Sequence, residues 1–368
     1  MLVSATTLAA AGGGASPQVE AIASLPRDAV ALVDRAVGRV ERPAGAPGRR
    51  YQWPGTYFEA RFGGDAVYVD LGTGEKHARI SIDGREVADL MRPDRRAFRI
   101  HGLAPGAHAV RVDIVSESRD GPQTFGGFAV SGPRQAMPPA PARARSIEFI
   151  GDSYTVGYGA ASSGRECSDD EVWRTTDNSL AFGPQVARRF DADYRILAIS
   201  GRGMVRNFAN GAGDTLPAAY ARWLPGDARP GAAPADEAWS PQLIVIGLGT
   251  NDFSVPVAAG EPWSDAAALS AAFESRYVDF VRGLHRRHPT ARVLLLATDA
   301  GQGAAERAVG RVRGRLAADG VVVGDVLALG PLALDACNWH PSRADHVSIA
   351  RRLDAAIEAL MPEWRAAP

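Results

Sequence analysis

The sequence predicts an α/β protein in which an antiparallel β-sandwich precedes a doubly wound domain with a parallel sheet. Three observations predict this architecture. Short runs of alternating apolar and polar residues occupy the first third of the chain, a proline-rich stretch follows them, and apolar runs then alternate with helical stretches. The length of 368 residues exceeds the usual size of a single domain, so two domains are expected.

Residues 1–34 are expected to lie outside both domains. The first 19 residues carry no charge and end in small residues, which fits either the remnant of a secretory signal or a disordered tail. We expect a secreted or periplasmic protein. No apolar run approaches the roughly 18 residues that cross a bilayer, so no contact with a membrane is expected.

Residues 35–131 are predicted to form the sandwich. Residues 56–64, 65–72, 77–85, 96–103 and 108–115 alternate apolar and polar side chains. The pairs Asp83–Gly84 and Pro105–Gly106 indicate tight turns between strands. Several short strands separated by turns are typical of a jelly roll. Residues 132–144 are rich in proline and are predicted to be a linker or an extended strap.

Residues 145–368 are predicted to form the doubly wound domain, with about five parallel strands. The runs Leu243–Leu248 and Val293–Ala297 are apolar on both faces, as in parallel strands that helices cover. Helices are expected near 265–287, 303–318 and 343–360. In such sheets, ligands bind beyond the carboxyl ends of the strands, where the strand order reverses.

Four residues follow the strand-like runs of this domain: Ser153, Gly201, Asn251 and His340. A serine hydroxyl becomes a nucleophile when an imidazole takes its proton, and the oxyanion that forms needs donors aimed at it. The backbone N–H groups of Ser153 and Gly201 and the side-chain amide of Asn251 are the predicted donors. The pattern predicts acyl transfer with His340 as the base. The alternative for Ser153 is a cap of the following helix.

These residues lie in segments that resemble a known family. FIGDSYTVGYG, AISGRGM, GLGTNDFS and WHP resemble, in order, the four sequence blocks of the SGNH (GDSL) hydrolases. WPGTYFEARF, GRGMVRN and WHPS resemble carbohydrate esterase family 2 more narrowly, and the likeness extends over roughly residues 35–360. It implies a jelly roll followed by a flavodoxin-like hydrolase domain. It further implies removal of acetyl groups from plant-wall polysaccharides such as xylan and glucomannan, with a preference for the 6-hydroxyl of hexose units.

The sequence departs from the family pattern beside the histidine. Most SGNH hydrolases have an aspartate three residues before the histidine, where this chain has Cys337. Some members of the esterase family place an acid two residues before it, where this chain has Asn338. Asn338 could orient His340 through its side-chain amide or through its backbone carbonyl. We favour the carbonyl, which leaves a Ser-His dyad, and Asp335 is a further candidate for the acid.

Other residues are candidates for contact with a sugar or for covalent linkage. Trp263 and Trp339 could stack on a sugar ring because pyranose faces are apolar, although aromatic residues mostly pack in cores. Arg206 could line the cleft or form a salt bridge. Cys167 and Cys337 are the only cysteines and form either one disulfide or two separate thiols. No metal-ligand spacing occurs among the histidines, so neither a metal nor a cofactor is expected.

The charges narrow the range of partners. Lys and Arg number 41 against 42 Asp and Glu, a balance that disfavours nucleic acid and anionic membranes. We expect a monomer that acts on an acetylated polysaccharide or oligosaccharide. Two other functions stay open. One is a lysophospholipase or thioesterase, which would need an apolar trough for its acyl chain. The other is a carbohydrate-binding protein without catalysis, and only the replacement of the acid by Cys337 and Asn338 favours it.

Overall fold

The computed structural model describes residues 16–43, 48–72, 74–118, 120–226 and 239–365. The chain divides into two compact units. The first contains the described residues up to Gln52 together with Thr56–Ala142, and the second contains Trp53–Gly55 together with the chain from Arg143. Among the described residues, no helix has both the length and the apolar character needed to cross a membrane.

The first unit is built from antiparallel strands. They are β1 (Gln18–Ile22), β2 (Val30–Ala31), β3 (Arg35–Val37), β4 (Arg49–Tyr51), β5 (Tyr57–Gly63), β6 (Ala66–Asp70), β7 (His77–Ile82), β8 (Arg85–Met91), β9 (Ala97–His101), β10 (Ala107–Ile114), β11 (Gln123–Phe125) and β12 (Gly127–Val130). One sheet has the order β1-β9-β6-β12-β2 and the other β3-β5-β10-β7-β8, while β11 pairs with β4. The predicted sandwich is therefore confirmed.

The sandwich core follows from the alternating pattern of the strands. Phe58 on β5 and Val112 on β10 are opposite each other in the antiparallel register and are fully buried. Phe58 also stacks on Phe125 with the ring centroids 4.0 Å apart. Alternation at period two thus places one set of apolar side chains between the sheets.

The assignment of residues 1–34 to a tail or signal remnant is wrong for residues 16–34, while residues 1–15 lie outside the described residues. Strand β1 pairs with β9 from Gln18 opposite His101 to Ile22 opposite Ala97, and β2 pairs with β12. Strand β8, which the sequence pattern also missed, pairs with β7. These strands lie at sheet edges and expose most of their residues. Edge strands need few apolar residues, so the alternation that identified the inner strands is weak in them.

The second unit has a parallel sheet with helices. Its strands are β13 (Arg145–Gly151), β14 (Ala192–Ala198), β15 (Leu243–Gly247), β16 (Arg292–Ala297) and β17 (Leu327–Ala328). Its α-helices are α1 (Ser153–Val156), α2 (Asp169–Thr175), α3 (Phe182–Arg189), α4 (Leu216–Tyr220), α5 (Thr250–Phe253), α6 (Ala266–Arg287), α7 (Ala300–Ala318) and α8 (Arg343–Leu360). The predicted doubly wound fold is confirmed.

The strand order of this sheet determines where a site can form. The order is β14-β13-β15-β16-β17, with every pair parallel, which is the flavodoxin-like order. The chain runs from β13 outward to β14 and then returns to β15 on the other side, so the order reverses beside β13. Strands β13, β14 and β15 end at Gly151, Ala198 and Gly247. The polar residues that follow them therefore meet at one edge of the sheet.

Candidate active site

Ser153 is the first residue of α1, two residues after the end of the inner strand β13. Asp152 is the cap of this helix, since its side chain accepts the N–H of Tyr154 at 3.1 Å. Ser153 is therefore not the cap that the alternative interpretation required. Its Oγ lies 2.9 Å from Nε2 of His340, 187 residues further along the chain. The structure thus brings the predicted nucleophile and base together.

The ring of His340 is oriented by backbone carbonyls. Nδ1 lies 3.0 Å from the carbonyl oxygens of both Cys337 and Asn338. Because a carbonyl oxygen can only accept, Nδ1 carries the proton. Nε2 is then left with a lone pair that can accept the hydroxyl proton of Ser153.

The other groups considered for this role have different partners. The side-chain amide of Asn338 donates to the hydroxyl of Tyr158 at 3.0 Å. Asp335 is exposed and forms an ion pair with Arg165 at 2.8 Å. The structure therefore agrees with orientation through the backbone carbonyl at 338, and the side-chain alternative for Asn338 is not observed.

Two aromatic rings enclose the imidazole. The ring centroid of Tyr158 lies 4.2 Å from that of His340 at an interplanar angle of 32°, and Tyr154 approaches at 5.8 Å and 66°. Burial lowers the pKa of His340 below its ordinary value of 6.5, while the hydrogen bonds to Asn338 and Cys337 oppose this change. His340 is therefore neutral at neutral pH, which is the state that a general base requires.

The predicted oxyanion donors belong to the segments that follow β13, β14 and β15. The N–H groups of Ser153 and Gly201 donate to no group in the part of the chain that the structure describes. Gly201 has a φ of +78°, which favours glycine, and the space where a Cβ would be is open. The amide of Asn251 donates to the carbonyl of Arg202 at 2.9 Å and to the carboxylate of Asp152 at 3.3 Å. Three strand ends are thereby joined around the nucleophile.

Asp252 supports the loop after β14, a role that the sequence pattern did not suggest. Its fully buried carboxylate accepts the N–H groups of Met204, Val205 and Arg206 at 2.9, 2.8 and 2.9 Å. Burial raises the pKa of Asp252 to about 6, and these three bonds oppose the rise. The carboxylate stabilises the loop that begins with Gly201. The feature of the sequence that could have indicated a structural role for Asp252 is its position as an acidic residue in the first turn of a short helix.

The substrate-binding role expected for Arg206 does not agree with its position. Its side chain is 1% exposed and forms an ion pair with Glu261 at 2.6 Å. The guanidinium also donates to the carbonyls of Asp252, Val255 and Pro256 at 3.1, 2.6 and 3.0 Å. All of these partners belong to the protein itself, so of the two alternatives for Arg206 the salt bridge is the one observed.

Replacing Arg206 with methionine is expected to lower the free energy of unfolding by about 2–3 kcal/mol, since buried carbonyl oxygens lose their donor. KM should stay close to that of the wild type. Chemical denaturation followed by circular dichroism measures the first effect, and Arg286→Met, on the exposed face of α6, is the matched control. An unchanged stability with a raised KM would restore the substrate-binding interpretation.

The aromatic candidates differ in exposure. Trp339 is 56% exposed, whereas Trp263 is half-buried against the core of the second unit. Phe208, which the sequence analysis did not select, is 53% exposed, and its N–H donates to the carbonyl of Gly201 at 2.9 Å. Trp339 directly precedes His340 in the chain, so an exposed aromatic residue is next to His340 in sequence and another is hydrogen-bonded to Gly201. Trp263 packs as a core residue would.

The two cysteines form a disulfide. Cys167 and Cys337 are bonded, with their Cα atoms 5.4 Å apart, so of the two alternatives the bridge is observed. Within the described ranges, no group of three or more His, Cys, Asp or Glu residues has the geometry to hold a metal ion.

Family models match both halves of the chain. The carbohydrate esterase 2 N-terminal model matches residues 36–141, and the GDSL-like lipase/acylhydrolase model matches residues 149–361. An acetylxylan esterase/glucomannan deacetylase of Cellvibrio japonicus is 37% identical over 328 residues, which cover 88% of this chain and 90% of that protein.

Solved structures agree with this similarity. A carbohydrate esterase whose active site is described as having divergent catalytic and non-catalytic binding functions has a TM-score of 0.83 and 34% identity, covering 91% of this chain and all of that one. A carbohydrate esterase family 2 enzyme of Corynascus thermopiles with a carbohydrate-binding domain has a TM-score of 0.77 and 29% identity, covering 90% of this chain and 100% of that chain.

Proposed function

Since the chain belongs to carbohydrate esterase family 2, within the GDSL-like hydrolases, we propose that it removes O-acetyl groups from plant-wall polysaccharides. Xylan and glucomannan are the proposed polymers, with the 6-hydroxyl of hexose units as a favoured position. The hydrogen bond between Ser153 and His340, with Nδ1 of the histidine held by carbonyls, carries the proposal. It supports a Ser-His dyad.

In the first step, Oγ of Ser153 attacks the acetyl carbonyl carbon while Nε2 of His340 takes the hydroxyl proton. The N–H groups of Ser153 and Gly201 receive the developing oxyanion, and each such donor lowers the barrier by roughly 3 kcal/mol. The side-chain amide of Asn251, which donates to Asp152 over a long 3.3 Å, supplies a third donor when the oxyanion replaces the carboxylate as its acceptor. The imidazolium then protonates the departing sugar oxygen and leaves an acetyl-enzyme.

In the second step, His340 takes a proton from water, and the resulting hydroxide attacks the acetyl-enzyme. The same donors receive the second oxyanion, and the proton returns to Ser153 as acetate leaves. Of the protein side chains in this mechanism, only the imidazole of His340 changes its charge in either step. A carboxylate partner is unnecessary for the tautomer because the carbonyls of Cys337 and Asn338 select it.

Two further features support a polymeric carbohydrate outside the cytoplasm. Trp339 and Phe208 expose rings on which pyranose faces can stack. The disulfide between Cys167 and Cys337 supports secretion or export to the periplasm, because disulfides persist in oxidising compartments. Binding without catalysis is the second candidate, since a relative's active site is described with both functions.

Release of acetate from acetylated xylan and glucomannan tests the proposal. The wild type is expected to release acetate from both and to hydrolyse 4-nitrophenyl acetate far faster than the octanoate. Ser153→Ala is the control for enzymatic release. Binding of the polymers without release of acetate would favour the non-catalytic candidate, and a preference for octanoate would favour a lipase.

The rate is expected to fall with decreasing pH as His340 gains a proton. Only the neutral imidazole can take the proton of Ser153, and burial holds the pKa of His340 below 6.5. The rings of Tyr154 and Tyr158 contact the imidazole, and His346 interacts with it electrostatically. Burial lowers the pKa of His346 to about 4, so His346 adds no charge above that pH. The acid limb of kcat/KM should therefore have its midpoint below pH 6.5. A midpoint above pH 7, with the protein folded throughout, would contradict this.

A further inference from the structure

The loop that carries His340 is held by a segment with no part in the proposed chemistry. Residues 159–168, here called the buttress segment, lie between α1 and α2, and residues 333–340 form the histidine loop. The disulfide between Cys167 and Cys337 joins the two covalently. Cys167 is partly exposed, whereas Cys337 is fully buried.

The buttress segment also binds the backbone of the histidine loop. The N–H of Cys337 donates to the hydroxyl of Ser162 at 2.9 Å, and the N–H of Asn338 donates to the carbonyl of Arg165 at 2.7 Å. The side chain of Arg165 donates to the carbonyls of Leu334 and, in the same loop, Ala333, each at 2.9 Å. Covalent and hydrogen-bonded contacts thus converge on the residues before His340.

One of these bonds acts directly on the orientation of the imidazole. The N–H of Asn338 and the carbonyl of Cys337 belong to the same peptide group, and peptide groups are planar. The bond from that N–H to Arg165 therefore fixes the direction of the carbonyl that accepts the Nδ1–H of His340 at 3.0 Å.

The backbone conformation of the loop needs such support. Asn338 and Trp339 have φ values of +52° and +55°, which place both in the left-handed region. A residue other than glycine keeps this conformation only when its surroundings determine it. Gly159 allows the close approach of the two segments, since a Cβ there would lie 2.6 Å from Cβ of Cys337.

We propose that the buttress segment positions His340 for the reaction and that the disulfide between Cys167 and Cys337 is the covalent part of this device. The proposal rests on the function proposed above. The disulfide helps to hold the carbonyl of Cys337, which selects the tautomer of His340. This carbonyl thereby does what a carboxylate partner would do. Activity therefore depends on the oxidation state of the two sulfur atoms.

Reduction by tris(2-carboxyethyl)phosphine tests the proposal. The phosphine and one water molecule convert the disulfide to two thiols and yield a phosphine oxide, so the two electrons come from phosphorus. We expect kcat for acetate release to fall at least about tenfold, since misplacement of a reacting group by an ångström costs roughly a hundredfold. KM should be unchanged, and reoxidation should restore kcat.

Three variants separate positioning from a loss of stability. Cys167→Ser/Cys337→Ser should show the reduced kcat and no response to the phosphine. Ser162→Ala, which keeps the disulfide, should lower kcat severalfold and decides the matter if the double variant does not fold. Val281→Ala, on the buried face of α6, should lower Tm without lowering kcat.

The outcomes distinguish this inference from the proposed function. If the oxidised enzyme releases acetate and the reduced, folded enzyme does so at the same kcat, the positioning role is wrong and the esterase function stands. A fall in kcat that merely follows the unfolded fraction also overturns the positioning role. If the oxidised enzyme releases no acetate, the proposed function itself fails.

Discussion

Replacing Ser153 with alanine is expected to reduce kcat for acetate release by about 10⁴- to 10⁶-fold. The variant lacks the oxygen that forms the acetyl-enzyme, whereas the oxyanion donors and the sugar contacts remain. Steady-state rates on acetylated xylan measure the loss. Because the hydroxyl is 2.9 Å from His340 and caps no helix, the fold should be retained with a Tm close to that of the wild type.

A matched control distinguishes loss of the nucleophile from loss of any hydroxyl. Ser254 directly follows α5, and its exposed hydroxyl donates to the carbonyl of Thr250, the first residue of that helix. Ser254→Ala removes this hydroxyl and should keep kcat within a small factor of the wild-type value. Calorimetric titration with the deacetylated oligosaccharide should give similar affinities for the wild type and for Ser153→Ala. A folded Ser153→Ala protein with substantial turnover would exclude the acetyl-enzyme route.

Replacing His340 with alanine is expected to cost nearly as much as replacing Ser153, because no other base lies within hydrogen-bond distance of its hydroxyl in the described part of the chain. Replacing Asn338 with alanine should leave most of the activity. Its carbonyl, which accepts from Nδ1, is retained in the variant, and only the bond from its amide to Tyr158 is lost. Rates of both variants on one substrate give the comparison.

The two variants together test the dyad. Tyr158→Phe removes the hydroxyl that receives the Asn338 amide and keeps the ring beside the imidazole, so it is the matched control for Asn338→Ala. A loss for Asn338→Ala as large as that for His340→Ala would show that the side chain orients the imidazole. The backbone account would then be wrong.

Local pattern identified much of the fold because burial imposes a period on the sequence. Strands β5, β6, β7, β9 and β10 were predicted from alternation, β13 and β14 from apolar runs between helical stretches, and β15 and β16 from runs that are apolar on both faces. Strands β1 and β8 were missed because they lie at sheet edges and expose most of their side chains. Ser153, Gly201, Asn251 and His340 were selected because each follows a strand-like run in the sequence.

The sequence by itself determined the two-part architecture, the family and the four residues at the strand ends, since periodicity and short motifs are local properties of a chain. Only the tertiary structure decided which contacts those residues make. It showed that Arg206 forms a buried ion pair and that Asp252 binds the loop after β14. It also showed that backbone carbonyls orient His340, in a loop that the disulfide joins to the segment with Cys167. Such contacts join residues that are far apart in sequence. Their geometry depends on backbone direction, which residue identity does not specify.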